Sequence, residues 1–267
     1  MLKVLNLNVT FKGHKNDIKI LKDISFEINE GECVCILGES GSGKSMATKS
    51  IMGLLNNNFE VSGSAVFNGI DLLKANKETL RNIRGKDITM ILQNPMICFD
   101  SLYNIGYQIK ETLKTHTDMT NDELYEKSIE ILEKMRIREP KEVLKKYPHQ
   151  LSGGMLQRIM IGIAISLNPK ILIADEPTTA IDSITQFEII KEFERLKKEK
   201  TTMIFITHDL GVASRLSDRI LVMNKGEIVD RLKFDEITTK AKDSYTKELV
   251  AQKMKVMESY KKAIGGN

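Results

Sequence analysis

The octapeptide GESGSGKS, Gly38 to Ser45, constrains this chain more than any other stretch. Its spacing is that of a loop whose close-set backbone N–H groups wrap phosphates, whose lysine brings a point charge and whose last hydroxyl reaches Mg²⁺. Such a loop works only between a buried strand and a helix. The flanks supply both, CVCIL before it and KSMATKSIMGLL after it. Gly38, Gly41 and Gly43 are expected to let the backbone approach closely, with Glu39, Ser40, Ser42 and Met46 completing the cradle. Lys44 is expected at the β and γ phosphates and Ser45 at the metal, so the implied ligand is ATP or GTP with Mg²⁺.

Five short apolar runs, CVCIL, ITMIL, ILIA, TMIFIT and RILVM, read as strands covered on both faces, as in a parallel sheet flanked by helices. Several precede helix-start signals, among them Ser183 and Gln186 in DSITQ, spaced as a capping box, and HDLGVA. The first 30 residues and VSGSAVFNG alternate instead, with an Asn68-Gly69 turn, and predict a small antiparallel appendage. Residues from about 95 to 165 hold no convincing strand. There Thr120 and Glu123 form a capping box, and Leu124, Ile131, Leu132 and Met135 follow at helical spacing. The expected fold is an α/β core with an antiparallel β subdomain and an inserted α-helical subdomain. It forms one domain over residues 1–267 with a carboxyl-terminal tail from about 240 to 267. No repeat, low-complexity segment or Pro/Gly/Ser linker argues for a second one.

Lys plus Arg exceed Asp plus Glu by only 40 to 36, interleaved, so no basic field points to nucleic acid. A mild excess sits at LKKEK and KMKVMESYKKA, the latter at the carboxyl terminus. Cys33, Cys35 and Cys98 lack metal-ligand spacing and read as buried structural thiols in a reducing compartment. The amino terminus has no secretory pattern and no run reaches the length of a membrane span, so any membrane work is expected through another subunit.

ILIADEP adds a second element of the same chemistry. A strand ending in Asp175 places a carboxylate at a metal, and Glu176, one residue on, can face the other way and polarise a water. LSGGMLQR, Leu151 to Arg158, then poses a puzzle, because Ser152, Gly153 and Gly154 open an apolar helix and form a second anion-binding start over a hundred residues from the first.

Taken together these motifs resemble the nucleotide-binding subunits of ATP-binding-cassette transporters over essentially the whole chain. GESGSGKS is similar to their Walker A, LSGGM to their signature, ILIADE to their Walker B and TTAID to their D-loop. Gln93 matches the Q-loop glutamine and His208 in THDL the switch histidine, all in the family's order. The resemblance implies a RecA-like P-loop core and resolves the puzzle. Two subunits pack head to tail, and Ser152, Gly153 and Gly154 of one close over ATP held by the other, so that dimer closing and opening is the power stroke. It further implies that Ser45, Gln93 and Asp175 surround Mg²⁺, that Glu176 activates water, and that Lys44 and His208 steady the phosphoryl group. Gln93 would also sense the membrane partner. Asp182 would shape the facing site while capping a helix. Phe11, where the family more often has Tyr, is equally a candidate adenine-stacking ring and a core residue.

ILQNPMICFDSLYNIGYQIKET, YPHQLSGGMLQRIMIGIAI and DSYTKELV resemble the importer branch for peptides and nickel, in its D-type subunits. Ile181 for the usual Leu and Asp100-Ser101 for Asn-Pro depart from the pattern without removing a catalytic group. This resemblance implies a partner ATPase of the F type, two integral-membrane permease subunits, an extracytoplasmic binding protein acting indirectly, and a place on the cytoplasmic face of the membrane. No Cys follows Cys98, whereas many peptide ATPases of the branch carry a cysteine-bearing extension, so the expected cargo leans to nickel or a nickel chelate, with di- or oligopeptides as the alternative. Chromosome-maintenance and ribosome-acting cassettes share the motifs, but they need a long coiled coil or a second cassette that this chain does not display.

Overall fold

The computed structural model describes residues 1–13, 16–179 and 181–252. KMKVMESYKKA lies outside them, as do the rest of the expected tail beyond residue 252 and Ala180 within TTAID. The chain divides into two compact units, Met1–Leu80 with Ile204–Asn267, and Arg81–Met203.

The first unit begins with β1 (Leu2–Phe11), β2 (Ile18–Ile28), β3 (Cys33–Leu37), α1 (Lys44–Ile51), β4 (Phe59–Phe67) and β5 (Ile70–Asp71); α2 (Lys77–Ile83) reaches the division. The second holds β6 (Ile88–Ile91), α3 (Ile105–His116), α4 (Asn121–Lys134), α5 (Pro140–Val143), α6 (Gly153–Ser166), β7 (Ile171–Asp175) and α7 (Ser183–Lys198). The chain returns to the first unit within β8 (Thr202–Thr207) and continues through α8 (Leu210–Leu216), β9 (Arg219–Asn224) and β10 (Glu227–Leu232).

In the first unit β2, β1, β4 and β5 form an antiparallel sheet in that order. Alternation drives it: Leu2, Val4, Leu7 and Val9 of β1 are buried while Lys3 and Leu5 face outward. A register shift between Val4 and Leu7 accommodates Asn6 at φ 47°. Asn68 and Gly69, at φ 47° and 87°, supply the left-handed pair a tight hairpin requires. The other strands of this unit run in the order β10, β9, β3, β8. β3 is parallel to β9, and every residue of β3 is buried, which explains the continuous apolar run. β10 adds an antiparallel edge that the parallel expectation did not include.

In the second unit β6 and β7 pair in parallel from Ile88↔Ile171 to Ile91↔Ala174. Between them the chain from about 95 to 165 is helical and strandless, as its pattern predicts. The capping box of α4 forms, with Thr120 N donating to Glu123 at 2.7 Å, and Leu124, Ile131, Leu132 and Met135 are all buried. α7 uses the cap expected at Asp182 and not the Ser183–Gln186 capping box. Its cap is Asp182, whose Oδ1 accepts from Thr185 N at 3.0 Å, and Ser183 is already the first helical residue, because an Asp carboxylate outcompetes the neighbouring hydroxyl for the exposed amides. Cys33 and Cys35 are buried, but Cys98 is exposed on the loop after β6, against the expectation of a buried thiol, because it lies outside the all-buried strand that holds the other two.

The hairpin joining β9 to β10 turns on Lys225 at φ 46° and Gly226 at φ 82°. A side chain at Gly226 would collide with the Ile20 carbonyl of β2. Gly226→Ala is therefore expected to lower stability by about 1–3 kcal/mol, read as a lower urea midpoint with an unchanged slope; an unchanged midpoint would show that the turn relaxes freely.

Candidate nucleotide site

The loop after β3 is shaped by two positions that exclude side chains. A Cβ on Gly38 would strike the Met223 carbonyl of β9 and lie 2.7 Å from Ser42 Oγ. Gly43 stands at φ 104° immediately before α1, a conformation that favours glycine. Folded this way, the loop buries Gly38, Ser42 and Lys44 and leaves Glu39, Ser40 and Gly41 exposed at the rim. Lys44 Nζ turns back and donates to the carbonyls of Gly38 at 2.8 Å and Glu39 at 2.7 Å. Gly226 N donates to Ser42 O at 3.0 Å, so the β9–β10 hairpin pins the loop from behind.

Two features fit this loop to a phosphate. α1 has no side-chain cap and no acidic residue in its first turn, so its leading amides and positive dipole end are left for an outside anion. Ser42 Oγ, in a residue only 5% exposed, has no hydrogen-bond partner among the described residues. Ser45 and Met46 sit half-buried in the first turn. In the same unit β8 neighbours β3, and exposed His208 directly follows its last residue. The backbone around His208 is fixed on its far side, where Asp209 N donates to Thr207 Oγ1 at 3.0 Å and Asp209 Oδ1 caps α8 through Gly211 N at 2.7 Å. Phe11, at the end of β1, is half-buried and packs against Phe59 with centroids 5.3 Å apart. Sequence reasoning did not single out Phe59.

In the second unit the carboxylates sit where β7 ends. Asp175 is fully buried, and the chain leaves the strand at Glu176 with φ 45°. The direction of Glu176 is thus set by a left-handed turn rather than by the strand alternation used to anticipate it. The pairing Ile91↔Ala174 brings Gln93, two residues on, beside Glu176, two residues on. Gln93 Nε2 donates to Glu176 Oε2 at 3.2 Å, and Thr179 Oγ1 donates to the same oxygen at 3.2 Å. The Glu176 carbonyl lies 3.1 Å from the same hydroxyl, whose single proton the two oxygens share, and accepts from Thr179 N at 3.3 Å, which closes the turn.

The signature stretch opens α6 as expected. Ser152 is its cap, with Oγ accepting from Met155 N at 3.3 Å, and Ser152 and Gly153 are exposed while Gly154 is half-buried. No acid lies in the first turn, so this helix start also presents an electropositive end. Asp182 is exposed at the start of α7, and the Thr185 amide, then its hydroxyl, hold its carboxyl below the usual range. One contributor was missed in the sequence: Gln157, fully buried on α6, donates from Nε2 to the Pro177 carbonyl at 2.9 Å. It ties the signature helix to the Glu176 turn, and its signal was a lone amide within the apolar run MLQRIMIGIAISL. The structure thus groups Gly38–Met46 with His208 on neighbouring strands of one unit, and Gln93, Asp175 and Glu176 at paired strand ends of the other.

The sequence model of the ABC transporter family matches residues 21–179. The metal-staphylopine import system ATP-binding protein CntD of Staphylococcus aureus (strain NCTC 8325 / PS 47) is 39% identical over the whole of this chain and 98% of its own length. The oligopeptide transport ATP-binding protein OppD of Bacillus subtilis (strain 168) is 38% identical over 97% of this chain and 73% of its own. In structure the chain is similar to the ATP-binding cassette MJ0796, solved as a dimer in a post-hydrolysis state bound to ADP and Pi. The TM-score is 0.79, at 30% identity over 88% of this chain and 99% of that one. The nucleotide is therefore ATP, hydrolysed with Mg²⁺. The chain belongs to the ABC transporter family, among the D-type ATP-binding subunits of its peptide and metal importers.

Proposed function

We propose that this subunit energises import of a metal chelate, nickel or a nickel complex in the first instance, by hydrolysing ATP at the cytoplasmic face of a membrane. The observation that carries the catalytic part is the anchored Glu176 carboxylate, held by Gln93 and Thr179 at 3.2 Å each. A general base must be fixed in place before it can polarise water usefully, and these two donors fix it. Lys44, already aimed by two carbonyls, would neutralise charge on the phosphates, and His208 would steady the transferring phosphoryl group. Mg²⁺, when bound, supplies charge neutralisation between the phosphates. Ser45, Gln93 and Asp175 offer oxygen donors of the hard type it takes, and no cluster of three or more His, Cys, Asp or Glu competes for a metal among the described residues.

Ser152, Gly153 and Gly154 would complete the site of a second ATPase subunit, of the F type, in a head-to-tail dimer. Asp182 would line the same junction. The permease contact is supported by the segment after Gln93. Ile97 and Leu102 are 72% and 78% exposed, Met96 is exposed beside Ile97 in the chain, and exposed Tyr103 and Tyr107 stack with centroids 4.6 Å apart, all on the second unit. No helix among the described residues is long and apolar enough to cross a membrane, so this reading places the membrane work in permease subunits, with a substrate-binding protein outside. The metal-chelate cargo is favoured by the full-length match to a metal-staphylopine import subunit, and peptides are the second reading because OppD matches at nearly equal identity.

Glu176→Gln should keep ATP binding and slow hydrolysis on the order of a hundredfold or more; near-normal turnover removes Glu176 from the role of base. Gln157→Leu, which leaves the buried Pro177 carbonyl without its donor, should lower stability by about 1–3 kcal/mol in urea unfolding; no loss would mean the turn is held without it. Cells lacking the gene, complemented with wild type or Glu176→Gln, should regain uptake of nickel or its chelate only with wild type. Loss and recovery of labelled peptide uptake alone would replace the metal reading by the peptide one.

A further inference from the structure

The peptide group between Gly38 and Glu39 is gripped at both ends. Its carbonyl oxygen accepts from Lys44 Nζ at 2.8 Å, and its N–H donates to the hydroxyl oxygen of Tyr245 at 2.9 Å. The next carbonyl, that of Glu39, takes the second Lys44 bond at 2.7 Å. A peptide group polarises as a unit, so a cation at its oxygen makes its N–H a better donor and the two bonds reinforce one another. Tyr245 arrives from 206 residues downstream to accept this bond.

The segment that brings it is built in. Asp230 of β10, only 5% exposed, accepts from the backbone N–H of Lys242 at 3.2 Å and of Asp243 at 3.1 Å. Asp243 Oδ1 in turn accepts from Tyr245 N at 2.8 Å, residues 244–252 are helical, and Thr246, Leu249 and Val250 are buried. Burial pushes the Tyr245 phenol above its ordinary range, so the hydroxyl stays neutral at any working pH.

We propose that Tyr245 is a positioning residue for nucleotide binding: through the Gly38–Glu39 peptide it sets where the Lys44 ammonium stands, and it makes ATP affinity depend on the docking of the carboxyl-terminal segment against β10. The inference rests on the assignment of Lys44 to the ATP phosphates. Glu39 is exposed, so water can satisfy its N–H if the hydroxyl is lost, but water does not hold the peptide plane. The hydroxyl therefore bears on the orientation of Lys44 more than on folding.

Tyr245→Phe keeps the ring and removes only the accepting oxygen. In the full-length protein, equilibrium binding of a fluorescent ATP analogue with Mg²⁺ should weaken about two- to tenfold, the range a neutral hydrogen bond supports. The thermal midpoint of the nucleotide-free protein should stay where it was. Asp230→Asn, which loosens the segment by a different bond, should also weaken ATP binding, and the double variant should lose no more than the worse single one, because both act through one hydroxyl. Lys44→Ala tests the underlying assignment. If it binds ATP like wild type, the proposed site falls and this inference with it. If it loses ATP while Tyr245→Phe binds normally, only the inference is overturned. A lowered thermal midpoint together with additive losses in the double variant would equally overturn it, by showing the segment to be a structural anchor alone.

Discussion

Lys44 reaches back to the carbonyls of Gly38 and Glu39 at 2.8 and 2.7 Å, and the first unit is arranged around that reversal. An ammonium on the first residue of a helix can meet carbonyls five and six residues before it only if the intervening backbone doubles over tightly. That in turn demands glycine where the loop presses on β9 and where it enters α1 from the left-handed region. Everything behind the loop then serves as a wall. Met223 crowds Gly38, the Gly226 amide holds Ser42, and the same Gly226 carbonyl accepts from Lys22 N of β2 at 2.8 Å. Gly226 thus ties β2 of the antiparallel sheet to the phosphate loop, beside the Lys22–Glu227 pair and the bonds from Arg219 and Arg231 to carbonyls of β2.

The second unit solves a different problem, that of holding a carboxylate in an unfavourable backbone state. Glu176 at φ 45° has a conformation that costs a non-glycine residue on the order of 1 kcal/mol or more. The turn is closed by Thr179 on its carbonyl and side chain, by Gln93 on its carboxylate and by Gln157 on the carbonyl of the next residue. Three side chains supply these bonds: Thr179 within the turn itself, Gln93 from the loop after β6 and Gln157 from a buried face of α6. The strain is tolerated because these bonds over-determine the turn, which aims the side chain away from the path the strand would have dictated. Gln157 also ties α6, which Ser152 caps, to the Glu176 turn within the same compact unit.

Much of this was readable beforehand, and for a common reason. The five apolar runs are strands, the Asn68-Gly69 pair turns a hairpin, Thr120 and Glu123 cap α4, and Ser152 caps α6, because each depends on residues within a few positions of one another. The misreadings lie where two local solutions compete or where burial decides. Asp182 and Ser183 both could cap α7, and only the resolved helix start separates them. Cys98 resembled its buried counterparts in composition, yet the loop that carries it lies open. The antiparallel β10 escaped notice because EIVDRL is too polar to read as a covered strand; it lies on a sheet edge.

The sequence by itself determined the chemistry. The spacing of GESGSGKS dictates an anion cradle, and ILIADE puts two carboxylates at a strand end, although where the second one points is set by the turn at Glu176 and not by strand alternation. Tertiary structure decided what holds those groups still. That Gln93 meets Glu176 follows from the register of β6 on β7, that Gly226 meets Ser42 from a hairpin packed behind the loop, and that Tyr245 meets Glu39 from a buried Asp230 steering the chain's return. Such partners are separated by tens to hundreds of residues. Hydrogen bonds at that separation are selected by which surfaces bury one another, a property of the packed whole that no local spacing encodes.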